Sequence, residues 1–351
     1  MQAMRCFAFI SIVAFASIGL SLSSQDLTLP LTPNSVRFAV IGDMGTGKKP
    51  QYEVAEQMIR TRQKFPFEFV IAVGDNLYGG SSPSDYEKKF EQPYKRLLDA
   101  GVNFYAVLGN HDNPNERFYK PFNMNGQKYY TYKKGNVRFF ALDSNYMDKQ
   151  QFSWLENELQ NSGSDWKICY FHHPLYSSGA FHDASTDLRL LLEPLFIKYG
   201  VQAVFSGHNH VYERLKPQKG IYYFTEGASG SLRKGNLRQR GLTAVGYDQD
   251  RSFMLVEIAG DELYFQTISR TGLTVDSGVI PRVAKTEGAA SWPALRTGHG
   301  GLPERKPNAM AARPLDIGII PHPQDCYLLL GNSTGASYRA IVRGEQYRTD
   351  L

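Results

Sequence analysis

VRFAVIGDMG, Val36 to Gly45, is a β-prone apolar run that stops abruptly at Gly42-Asp43. The same pattern returns in FVIAVGDNLY, Phe69 to Tyr78, and in FYAVLGNHD, Phe104 to Asp112. Strands are predicted over Val36 to Ile41, Phe69 to Val73 and Phe104 to Leu108, each running into a Gly-Asp or Gly-Asn turn. Between the first two, Val54, Ala55, Met58 and Ile59 fall on one face of a helix. Strands alternating with helices in this way specify an α/β domain with substantial parallel sheet. Such sheets place their chemistry in the loops beyond the strand ends.

Further along, Val137 to Leu142, Lys167 to Phe171, Ala203 to Phe205, Gly220 to Thr225, Phe253 to Ile258 and Leu263 to Ile268 also read as strands, with Asp261 in the turn joining the last two. Leu188, Leu191, Leu192, Leu195, Phe196 and Tyr199 repeat at helical spacing, and Pro194 bends that helix. After about Val283 the composition shifts to Pro- and Gly-rich sequence without periodicity. A linker is expected from Ala284 to about Arg313, and only Ile317 to Ile320 and Cys326 to Leu330 regain strand character. The expected organisation is a signal over residues 1–24, a catalytic domain over 35–283, and a linker with a tail over 284–351.

The 351 residues are 42% hydrophobic and 21% charged, which suits a globular protein with a sizeable core and excludes collagen-like or coiled-coil chains. The net charge of +5 is spread along the chain, so no nucleic-acid binding is expected. Arg5, the uncharged run Cys6 to Leu20 and the small residues Ser21 and Ser23 read as a secretory signal, too short an apolar run for a stable membrane anchor. Export, to a periplasm or to the outside, is the expectation. Cleavage leaves Cys169 and Cys326, too few for a disulfide scaffold.

Six of the eight histidines lie between His111 and His210. They fall in or near five strand-end blocks: Gly42 to Gly45, Gly74 to Tyr78, Gly109 to Asp112, His172-His173-Pro174, and GHNHVYER from Gly207 to Arg214. One such block alone is a turn or a helix cap. Five together offer carboxylate, amide oxygen and imidazole without thiolate, a donor set for hard to borderline cations. Two neighbouring cations activate water and clamp a phosphoryl group. Gly42 to Lys48 also fits the phosphate-loop spacing, but Lys49 stands where that motif needs Ser or Thr.

The five blocks resemble the calcineurin-like metallophosphoesterase superfamily. The intact Gly-Asp-x-x-Tyr at Gly74 to Tyr78 is similar to the purple acid phosphatases within it, of the small, tartrate-resistant type. The likeness runs from about Val36 to Val283, and the chain departs from the mammalian small enzymes in its shorter stretch between Asp143 and Trp154. The resemblance implies a four-layer sandwich, two mixed β-sheets flanked by α-helices. It implies Fe(III) held by Asp43, Asp75, Tyr78 and His210, and a divalent metal (iron, zinc or manganese) held by Asp75, Asn110, His172 and His208. It further implies substrate binding by Asn110, His111, His173 and His182, with His111 and His182 catalytic, and phosphomonoester hydrolysis by direct attack of a metal-bound hydroxide. Asp112 is expected to support its loop, Asp143 to serve a turn, and Glu213 and Arg214 to pair with each other. Small phosphorylated substrates are the expected partners, and no protein partner is expected. Two other readings are open: a phosphodiesterase or nucleotide hydrolase on the same fold, and an exported binding protein that has kept the fold without the reaction.

Overall fold

The computed structural model describes residues 27–238 and 241–282, with three further strands between 317 and 341. The expected signal, residues 1–24, and the expected linker, 284–313, lie outside the described residues. Two compact units divide after Glu287.

In the first unit, β1 (Val36–Ile41), β2 (Phe69–Ala72) and β3 (Asn103–Ala106) run parallel, with α1 (Lys49–Arg62) as the first crossover. The second crossover is α2 (Pro83–Tyr86), capped by Ser82 and continued through one π turn, Glu87–Glu91, into α3 (Gln92–Asp99). After β4 (Tyr130–Lys134) and β5 (Val137–Ala141) come α4 (Lys149–Gln160), β6 (Trp166–Tyr170), α5 (Thr186–Tyr199) and β7 (Ala203–Ser206). The remaining strands are β8 (Tyr212–Leu215), β9 (Tyr222–Glu226), β10 (Thr243–Tyr247), β11 (Ser252–Ala259), β12 (Glu262–Ser269) and β13 (Thr274–Pro281).

They form a six-stranded sheet, β13-β12-β11-β1-β2-β3, and a seven-stranded sheet, β10-β8-β9-β7-β6-β5-β4. Both are mixed: β1 to β3 are parallel while β11 pairs antiparallel to β1, and β5, β6, β7 and β9 are parallel while β4 and β8 are not. Alternation along β1 assigns the layers. Phe38 and Val40 join Phe69, Phe139, Tyr170 and Phe205 in the core between the sheets, while Ala39 and Ile41 join Val54, Met58, Tyr94 and Leu97 under α1 and α3. A third core packs Phe140, Cys169 and Val204 against Leu155, Leu159, Leu192 and Phe196 of α4 and α5. Four layers result, two sheets inside and helices outside.

Within α5 the expected apolar face is narrower than the spacing suggested. Leu192, Leu195 and Phe196 are buried, whereas Leu191 is 36% exposed and Leu190 62%. Cys169 is buried and free. No helix among the described residues is long and apolar enough to cross a membrane.

The second unit contains β14 (Ile317–His322), β15 (Asp325–Gly331) and β16 (Ser337–Ile341) in an antiparallel sheet of that order. Its first two strands cover the stretches whose sequence regained strand character.

Candidate metal centre

All ten sequence-expected site residues lie in loops beyond the carboxyl ends of parallel strands. Asp43 follows β1, Asp75 and Tyr78 follow β2, and Asn110 and His111 follow β3. From the second sheet, His172, His173 and the longer loop to His182 follow β6, while His208 and His210 follow β7. Within each sheet neighbouring loops are tied by backbone bonds, Asp43 N–H to Gly74 O at 3.0 Å and Gly207 N–H to His172 O at 2.9 Å, and between the sheets His208 N–H donates to Asp43 Oδ2 at 2.8 Å.

Two glycines are required for this approach. A Cβ on Gly109 would lie 2.2 Å from Asp75 Oδ1, and one on Gly207 would lie 2.5 Å from Asp43 Oδ2. The donors themselves are bent into place. Asp43, Asp75 and His208 all have left-handed backbones, with φ of 52°, 51° and 68°. That conformation costs on the order of 1–3 kcal/mol at a residue with a Cβ. It turns each side chain sharply off its strand.

The side chains form two triangles of donor atoms. In the first, Tyr78 Oη lies 3.1 Å from Asp43 Oδ1 and 3.1 Å from His210 Nε2, and His210 Nε2 lies 3.2 Å from Asp43 Oδ1. In the second, Asn110 Oδ1 lies 3.1 Å from His172 Nε2 and 3.0 Å from His208 Nδ1, and the two nitrogens are 3.2 Å apart. Donors that share one cation at roughly 2.0–2.2 Å sit about 3 Å from one another. Asp75 touches both triangles. Its Oδ1 is 3.4 Å from His172 Nε2, and it groups with Asp43 and His210 within 4.8 Å.

Electrostatics favour cations at both places. Among the described residues the ion pairs of Asp43 and Asp75 are with His210 and His172 only, and both carboxylates are buried. Burial, then the neighbouring Asp75, pushes the Asp43 carboxyl well up, and burial with both aspartates pushes the Tyr78 phenol up strongly. Three potential anions therefore crowd together without a side-chain cation among them, a cost that multivalent metal relieves. In the second triangle His172 donates through Nδ1 to Val73 O at 2.9 Å, which leaves Nε2 as an acceptor. Burial, and then the adjacent His173, hold His172 well below 6.5, and burial with His172 holds His208 down as well. His210 falls to about 4 through burial and then the charge of Arg233. Neutral imidazoles with lone pairs converging on an amide oxygen are metal ligands in waiting. The residues present fit two cations.

The other site residues surround these triangles. His111 leans on the Tyr78 ring at 5.1 Å, and its backbone N–H donates to Asp75 Oδ1 at 3.0 Å. His182 lies on the other side, its ring 4.1 Å from that of His208. His173 is no free surface imidazole: its Nδ1 meets Ser144 Oγ at 2.9 Å, and its ring is 4.5 Å from His208. Burial lowers it to about 4.

Asp112 binds the Asp75 and Asn110 loops together, accepting from Gly109 N at 2.8 Å, Leu77 N at 3.0 Å and Asn76 Nδ2 at 2.9 Å. Asp143 accepts from Asn145 N at 3.0 Å in a turn. Glu213 and Arg214 do not pair with each other. Arg214 reaches Asp276 at 2.7 Å, while buried Glu213 accepts from Ser178 N at 2.9 Å and Thr243 Oγ1 at 2.7 Å. Adjacent residues on β8 face opposite sides of the sheet, which separates them.

The loop after β9 was not legible as part of the site. Ser231 N–H donates to Asp43 O at 2.9 Å and Arg233 N–H to His210 O at 2.9 Å, and the Ser231 side chain bonds Tyr78. Its signal was the Gly227 to Gly230 turn at a strand end, which carries no metal-type residue.

A four-layer αββα sandwich with paired donor sets on its strand ends defines a metal-dependent phosphoester hydrolase. The chain belongs to the calcineurin-like phosphoesterase family, which matches residues 36–212. It is 25% identical over 316 residues to tartrate-resistant acid phosphatase type 5 of Homo sapiens, spanning 74% of this chain and 97% of that protein. Its fold is similar to that of purple acid phosphatase PPD1 from yellow lupin (Lupinus luteus) seeds, with TM-score 0.60, 20% identity and coverage of 71% of this chain and 54% of that one. It is similar also to GAP50, the anchor in the inner membrane complex of Plasmodium, with TM-score 0.64, 20% identity and coverage of 72% and 90%. These two likenesses concern the fold. The enzyme class is that of the sequence relatives, the acid phosphatases.

Proposed function

We propose that the protein is an exported acid phosphatase of the purple type, hydrolysing small phosphomonoesters at a pair of metal ions. The two triangles of donors joined by Asp75 carry this reading. Asp43, Tyr78, His210 and Asp75 would hold Fe(III), and Asn110, His172, His208 and Asp75 a divalent ion. When bound, such ions supply an activated water and neutralise charge on the phosphoryl group. Tyr78 matters because a buried phenol beside two carboxylates would lose its proton only where a highly charged cation stabilises the phenolate in its place.

The chain's own groups then divide the remaining work. His111, beside Tyr78, donates a hydrogen bond to a phosphoryl oxygen. His182, across the site beside His208, delivers the proton that the leaving oxygen takes up. His173, held by Ser144, presents its remaining ring nitrogen toward the same space. Asn110 orients the ester through its amide.

Purified protein should show visible absorption from tyrosinate-to-iron charge transfer, and should hydrolyse an aryl monoester faster than the corresponding diester. A colourless active enzyme would remove the purple assignment, and a strong preference for the diester would make it a phosphodiesterase. Export is read from residues 1–24. The mature N-terminus, measured by mass, should begin near Ser24, and an intact Met1 in the exported protein would contradict it.

A further inference from the structure

Arg233 stands at the rim of the site with no carboxylate partner among the described residues. Its Nε is buried without a hydrogen bond. Its guanidinium carbon lies 3.4 Å from the centroid of the Phe181 ring, and that ring is 61% exposed. Phe181 contacts His182 at 4.7 Å, and His182 contacts His208 at 4.1 Å. The chain runs directly from Phe181, under the guanidinium, to His182, which sets Arg233 beside the His182 and His208 rings.

The position is fixed from two directions. Arg233 N–H donates to His210 O, while Ala180 N–H donates to Asn236 O at 2.7 Å and Arg238 N–H to Ser178 O at 2.9 Å. Those bonds lock the loop carrying Phe181 and His182 to the loop carrying Arg233. A phenyl face strips water from one side of the guanidinium, which strengthens its attraction for an incoming anion.

Resting on the reading of His182 as the group on the leaving side, we propose that Arg233 determines specificity by binding a second anionic group, carboxylate or phosphate, on the leaving portion of the ester. The favoured substrates are then phosphomonoesters of acids, not of neutral alcohols. Arg233 itself neither donates nor accepts the protons transferred in the reaction.

Two matched pairs test this. For turnover, 3-phosphoglycerate is compared with glycerol 3-phosphate. For equilibrium binding without hydrolysis, 3-phosphonopropionate is compared with propylphosphonate by calorimetry. Wild type should favour the anionic member of each pair. Arg233→Gln should lose about 10- to 100-fold on that member alone, the range for a hydrogen bond to a charged group, and Arg233→Lys should recover part of the loss. Equal losses on both members of a pair would overturn the proposal and assign Arg233 to the transferred phosphoryl group. No loss on either would overturn it as well. If neither ester turns over while the phosphonates are still discriminated through Arg233, the hydrolase reading fails and the anion site stands.

Discussion

The two triangles have nearly equal edges and opposite chemistry. Around Asp43, Tyr78 and His210, two of three donors are acids, and Asp75 adds a third potential negative charge. Around Asn110, His172 and His208, every donor is neutral, and only the shared Asp75 brings charge. Burial alone cannot create that contrast, since Asp43 and His172 are equally inaccessible. Donor charge, not depth, distinguishes the two positions, and under the proposed reading the more acidic one takes the more highly charged ion.

Removing the shared group should have the largest effect. Asp75→Asn is expected to lower turnover by at least about 10²–10³-fold and to deplete both metals, as read by elemental analysis. Loss of one metal only would show that Asp75 belongs to one triangle. The next pair of variants sets the triangles against each other. Tyr78→Phe should abolish the visible band with the fold intact, whereas His208→Ala should keep the band and lose the divalent ion. The reverse pattern would exchange the two assignments.

A smaller effect is expected from Asp112→Ala, which frees the loops on which Asp75 and Asn110 sit. Buried supports of this kind are worth about 10–100-fold in metal affinity or activity, and here both metals should weaken together. The smallest concerns Glu226, behind Asp43, whose carboxyl is raised to about 8 chiefly by burial, against 4.5 when exposed. The folded metal-free chain then holds more protons than the unfolded chain between those values, so stability falls as pH rises through that window. Glu226→Gln should make that slope shallower in thermal melts of the metal-free protein, with the buried Glu116, raised to about 7, keeping part of it. An unchanged slope would place the titration elsewhere.

The sheets were legible where strands are buried on both faces, as in FVIA and in VRFAVI, where only Arg37 breaks an otherwise apolar run. Missed strands were mostly at edges. Tyr130–Lys134, Thr243–Tyr247 and Thr274–Pro281 end their sheets, are mostly half-buried or exposed, and lack a continuous apolar run. The helical stretch Pro83 to Asp99 was hidden by its mixed charges and by the π turn within it.

At the site, metal-type residues announced themselves through the turns that carry them. Arg233 and Ser231 did not, because a cation and a hydroxyl in a Gly-rich loop have many uses and only the tertiary bonds to Asp43 and His210 give them one. The Glu213–Arg214 expectation failed for a related reason. Sequence neighbours on a strand point apart.

The most direct test of two unlike positions sharing Asp75 is metal content per chain of purified wild-type protein, measured alongside its visible spectrum. Two metal ions per chain, at least one of them iron, with a visible band is the expected result. A single ion per chain in fully active enzyme would contradict the account.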